Sequence, residues 1–137
     1  MDIHNAFHNL NWLAIVIAAV SAFLLGFIWY SLLFSKKWAL ENGFNEESNK
    51  NVSMLKIFGL SFLLMLLASF ILALFIGKDA GLHHGINIGF HAGLGFGMTF
   101  LGVIYLFERR SLALYLINGF YTLLSLTLMG LIIGIMQ

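Results

Sequence analysis

The residues of this chain best suited to chemistry are its five histidines: His4, His8, His83, His84 and His91. A neutral imidazole is a ligand for zinc, copper or haem iron, and it carries protons near neutral pH. His4 and His8 stand four apart and His84 and His91 seven apart, so each pair can share one face of a helix. Asp2 and Asp79 are the only acidic residues among them, and the chain has no cysteine. The histidines therefore fall short of a full ligand set, and no metal and no cofactor is expected. Other chemistry is thinner still. There are no paired carboxylates in the apolar stretches and no GxSxG, HExxH or phosphate-loop pattern, and the serines lack a nearby base other than His91. An enzyme is not expected.

The element that positions His84 and His91 is the stretch GLHHGINIGFHAGLGFG, residues 81–97. Glycine recurs at Gly81, Gly85, Gly89, Gly93 and Gly97. In a helix a four-residue step drifts only about 40°, so the five form one ridge. Each glycine costs a helix up to about 1 kcal/mol relative to alanine. Such a ridge therefore implies close backbone packing, as in a glycine zipper. It reads either as the interface of a homo-oligomer or as packing inside one protomer. The opposite face carries His84, Asn87, His91, Met98 and Tyr105, and the stretch is expected to be the central span of the fold.

Composition sets the class. Of 137 residues, 61 % are apolar and 9 % charged, against about a quarter charged in soluble domains. A net charge of +1 with no long basic run excludes a nucleic-acid partner. Proline is absent, so every helix is expected to run unbroken. Four apolar runs are long enough to cross a bilayer, at about 12–33, 54–76, 83–107 and 112–136. The expected fold is all-α: a single membrane domain over 1–137 forming a four-transmembrane-helix bundle, with the lipid bilayer as its first partner. The first run lacks a basic leader and a cleavage site and reads as an uncleaved span. Its helix is expected to continue through Lys36, Lys37 and Trp38 to a C-terminal cap at Asn42-Gly43. Ser53 and Ser111 are placed to cap the second and fourth spans. Lys78-Asp79-Ala80 and Glu108-Arg109-Arg110 are tight turns. The second is a solvated, topology-setting turn that could also meet lipid phosphates.

The fourth span has a polar line of its own: Ser111, Tyr115, Asn118, Thr122 and Ser125, spaced so that they share one face. Hydrocarbon offers no hydrogen bonds, so that face calls for protein. Its expected partner is the His84/Asn87/His91 face across the hairpin, with His91 bonded to Asn118 or a hydroxyl of the fourth span. Orientation follows from charge. Lys36, Lys37, Lys50, Lys56, Arg109 and Arg110 fall on the side of the connections 34–53 and 108–111, and Lys78 alone on the other, with both termini. Positive residues stay inside, so both termini are expected outside, in a multi-pass plasma-membrane protein.

Four segments together carry a family resemblance: NWLAIVIAAVSAFLLGFIWYSLLFSKKW at the start, GINIGFHAGLGFGMTF in the third span, then YLFERRS and LYLINGFY. The chain resembles the small membrane proteins grouped as domain-of-unknown-function family 1761. The Trp29-Tyr30-Ser31 to Trp38 segment and the turn at Phe107–Ser111 are the specific parts. The resemblance covers nearly the whole chain. It implies a four-span integral membrane protein and supplies no activity, cofactor or catalytic residue.

Three functional readings follow. The first is an oligomeric channel or transporter for a small solute or ion, its polar path running through His84, Asn87, His91, Tyr115, Asn118, Thr122 and Ser125. The second is a structural or accessory membrane protein that assembles through the glycine ridge. The third is a histidine-based metal or haem protein.

Overall fold

Why the chain turns where it does is visible at its caps. In the computed structural model, which describes residues 7–137, the first, second and fourth spans open on a short polar side chain that takes up an orphan backbone N–H. Asn11 accepts from Ala14, Ser53 from Lys56 and Ser111 from Leu114. The helices are α1 (Trp12–Leu33), α2 (Ser35–Asn42), α3 (Met54–Ile76), α4 (Gly81–Phe107) and α5 (Leu112–Met136), of which α1, α3 and α5 start from these caps. The protein is an all-α fold in which α1, α3, α4 and α5 are each long and apolar enough to cross a membrane. Gly43 ends α2 at φ +68°, the left-handed cap that its position after Asn42 predicts. The turns at 77–80 and 108–111 put Asp79 and Arg109 at φ +56°, which is how a chain reverses within so few residues.

Two helices depart from the α pattern. The end of α1, Ile28–Leu33, and the middle of α4, Gly93–Met98, are π-helical. The absence of proline thus keeps the spans continuous, though not uniformly α. A π turn adds a residue to the local repeat and swings the side chains after it round the axis. In α1 it is followed at Phe34 by a break, φ −122° and ψ +13°. The expected straight continuation through Trp38 is replaced by the separate helix α2.

The central helix is α5, not the glycine-rich α4. It packs against α1, α3 and α4, and buries Leu114, Ile117, Leu123, Met129 and Ile133. What allows two neighbours to close on it is small side chains. The face of α4 that meets α5 is the glycine ridge. A β-carbon on Gly85 would run into the carbonyl oxygen of Gly130, and one on Gly89 into that of Leu126. On Gly93 it would lie 2.9 Å from the Leu123 Cα, and on Gly97 2.6 Å from the Thr122 methyl. The contact is reciprocal, since Gly130 and Gly134 of α5 abut the backbone of Gly85 and Gly81. Gly81 itself has open space where a side chain would go; its glycine is called for by φ +78°. On the other side α1 offers Ala14, Ala18 and Ala22, all fully buried, and then Gly26. Ala18 and Ala22 join Met129 and Ile133 in the core with Leu72, Ala73 and Ile76 of α3.

Polar contacts close both ends. At one, Asn11 Nδ2 donates to the Met136 carbonyl at 2.7 Å, and Gln137 Nε2 donates to the carbonyls of Ala73 and Gly77 at 2.9 and 3.0 Å. At the other, Ser111 donates to Glu41 of α2, whose second oxygen meets Lys37 Nζ at 2.7 Å. The connections 34–53 and 108–111 therefore share one end of the bundle, and the turn at 77–80 lies with Asn11 and Gln137 at the opposite end.

Candidate functional site

The polar residues expected to line one path separate into two groups. Because the glycine ridge is turned to α5, helix geometry turns His84, Asn87 and His91 away from it, and all three are exposed. The expected pairing of His84, Asn87 and His91 with the polar line of α5 does not form; of the polar side chains on that expected face only Tyr105 reaches the line, at Asn118. The seam between α4 and α5 is backbone against backbone, with no room for a solute. The physical reason is a competition between two faces of one helix. Close packing of glycine against glycine is the tighter contact, and it fixes the rotation of α4.

His91 accordingly bonds within its own helix. Its Nδ1 lies 2.8 Å from the Asn87 carbonyl oxygen, in place of the expected bond to Asn118. A carbonyl can only accept, so Nδ1 carries the proton and Nε2 of the neutral ring is an acceptor. The ring stands at the edge of a groove between α3 and α4, walled by Leu67, Ile71 and Phe75 on one side and Ile88 and Phe96 on the other. His83 and His84 lie exposed in the first turn of α4, and His4 lies outside the described residues. Among the described residues no three His, Cys, Asp or Glu side chains gather as a metal-holding group.

The α5 line is absorbed into the protein's own polar cluster. Tyr30 of α1 donates to Asn118 Oδ1 at 2.6 Å, and Asn118 Nδ2 donates to the Tyr105 hydroxyl of α4 at 2.6 Å. One amide thus ties three helices. The other two of the chain's four tyrosines stand beside it. Tyr115 donates to the Met98 carbonyl and Tyr121 to the Ala22 carbonyl, each at 3.3 Å. Trp29 Nε1 reaches the Ile117 carbonyl at 3.0 Å. Aromatic faces carry the cluster outward, with Tyr30 5.0 Å from Tyr121 and 5.2 Å from Trp38, and Trp38 5.2 Å from Phe44. Glycines make room for the rings, Gly26 under the Tyr121 hydroxyl and Gly102 under Tyr115. Thr122 donates to the carbonyl of Asn118 in its own helix, and Ser125 Oγ is buried with no partner in hydrogen-bond geometry among the described residues.

Sequence reasoning placed Asn118 on a polar face and missed what satisfies it. The available signal was that all four tyrosines and two of the three tryptophans fall toward the end of the spans rich in Lys and Arg. It also missed the small-residue line Ala14, Ala18, Ala22 and Gly26, whose four-residue period equals that of the glycine ridge.

Comparison with known proteins identifies the family. A family model described as "Protein of unknown function (DUF1761)" matches residues 13–134, and the chain belongs to that family. No curated protein and no solved structure matches the chain.

Proposed function

We propose that this multi-pass membrane protein works in the plasma membrane as a homo-oligomer, both termini outside, and that copies meet at the His84/Asn87/His91 face of α4 to form a path for a small solute or ion. One observation carries the reading: these three polar side chains are exposed on a span. His91 is ten residues into α4, so it sits about 15 Å along a helix that crosses a hydrocarbon core of about 30 Å. Polar and ionisable groups at that depth face protein or water. The glycine ridge, occupied by α5, is unavailable to a second copy. The orientation rests on the six Lys and Arg near one end of the bundle against Lys78 at the other. The reading needs no enzymatic step.

The chain has no cysteine, so a single one at Asn87 reports on this face alone. Oxidative cross-linking of Asn87→Cys in native membranes is expected to give a covalent dimer, and a cysteine at Leu55 on α3 is not. Proteoliposomes of wild-type protein are expected to pass ions or small solutes at a rate that His91→Leu lowers. No Asn87 dimer and a single-copy mass would overturn the assembly. A dimer without flux would favour the accessory role, to which the dry seam between α4 and α5 already lends support.

A further inference from the structure

The groove between α3 and α4 is open along one side and has a volume of about 580 Å³, within the range of sites for small molecules. It exists because α5 holds these two helices by different faces and leaves a gap between them. Its walls are Leu67, Ile71 and Phe75 on α3 and Ile88 and Phe96 on α4, with Leu126 of α5 also lining it. Among the described residues, the one polar side chain in the lining is His91. The Asn87 carbonyl fixes the tautomer of that ring and leaves Nε2 as an acceptor.

From this geometry we infer that the groove is a binding site for a membrane-dissolved apolar molecule bearing a hydroxyl, which donates to His91 Nε2. Three facts select that chemistry. An acyl chain fills the apolar walls but leaves the imidazole acceptor unsatisfied in hydrocarbon. A ketone or an ether has no proton to donate. A phospholipid headgroup stays at the interface, whereas Nε2 lies about 10 Å below it if the helix of about 40 Å is centred on the core. The ligand must therefore carry its hydroxyl into the hydrocarbon, on an apolar ring or chain. A hydroquinone and a polycyclic alcohol both fit this description. The walls of the groove and His91 all belong to a single copy.

The test uses the full-length protein and two matched probe pairs: a decyl-substituted hydroquinone with its dimethyl ether, and cholesterol with its methyl ether. Native mass spectrometry titrations compare the members of each pair. At least one hydroxyl probe is expected to bind on the order of tenfold more tightly than its ether, the weight of one hydrogen bond away from water. His91→Leu is expected to abolish that preference while leaving apolar binding. Ala68→Phe, which fills the groove from α3, is expected to weaken both members of the pair. A preference confined to the hydroquinone assigns a phenolic ligand, and one confined to cholesterol a polycyclic alcohol. Equal binding of hydroxyl and ether, no binding of any probe, or a preference that survives His91→Leu would overturn the inference. Failure here leaves the cross-linking result at Asn87 intact, so the two readings fail separately.

Discussion

Asn118 shows how one side chain can hold a bundle that has little polar chemistry to spend. Its oxygen accepts from Tyr30 and its nitrogen donates to Tyr105, so both ends of the amide are satisfied by different helices. Asn118→Leu strands two phenolic hydroxyls and is expected to lower stability by about 2 kcal/mol. Tyr30→Phe removes only one bond and should cost about 1 kcal/mol. Because the two share a bond, the double variant should cost less than the sum, and thermal unfolding in detergent measures all three. Strict additivity would mean that the cluster is not a unit. A second residue-scale contact is pH-dependent. The Lys37 ammonium, and after it the Ser111 hydroxyl, hold the Glu41 carboxyl below its ordinary range. A lowered carboxyl pKa adds stability above the ordinary value, and that stability is lost as pH falls through the lowered one. The difference in Tm between wild type and Glu41→Gln should therefore be largest near neutrality and close below about pH 4. A difference that does not change with pH would show that the latch is not ionic.

At the scale of the helix, the period of small residues was legible in the sequence, while the partner of each ridge was not. Gly85, Gly89, Gly93 and Gly97 announce close packing by their spacing alone. Whether they meet α5 or a second copy depends on Gly130 and Gly134 lying opposite, which no local pattern states. The same gap explains the misplaced polar path. Two lines of polar residues on adjacent helices look complementary on paper, but rotation of α4 to satisfy the glycines carries His84, Asn87 and His91 round to the outside. The π-helical turns were invisible for a related reason. Neither Ile28–Leu33 nor Gly93–Met98 contains a proline to mark it, and each adjusts helix register to tertiary packing. The glycines give a sharp comparison. Gly59 and Gly89 both lie inside α-helices, where alanine is the better helix former by up to about 1 kcal/mol. A β-carbon at Gly59 meets nothing, whereas one at Gly89 meets the Leu126 backbone, which cannot rotate away. Gly59→Ala should leave Tm unchanged or raise it, and Gly89→Ala should lower it. Equal responses at the two sites would remove the seam from the account.

For the whole molecule, fold class followed from four apolar runs, because hydrocarbon leaves a chain few alternatives to the helix. What composition could not rank was which helix sits at the centre. The four runs are alike in length, and centrality belongs to α5 through its neighbours' small residues rather than its own apolarity. The structure adds one constraint that bears on orientation. The Ser111–Glu41 bond gathers 34–53 and 108–111 at one end, so the six cations of that half act together and Lys78 opposes them alone. Positive-inside retention then predicts a cytoplasmic Ser48 and an external chain end beyond Gln137. The native chain lacks cysteine, so each position can be read without background. In intact cells Ser48→Cys should resist an impermeant maleimide until the membrane is opened, and a cysteine appended after Gln137 should react at once. Ser48 is exposed, so protection there reports the membrane and not burial. The reversed pattern would invert the orientation while leaving the bundle as it is. Reaction of both in intact cells would mean that the two ends of the bundle do not lie on opposite sides of a sealed bilayer, which is incompatible with four crossings.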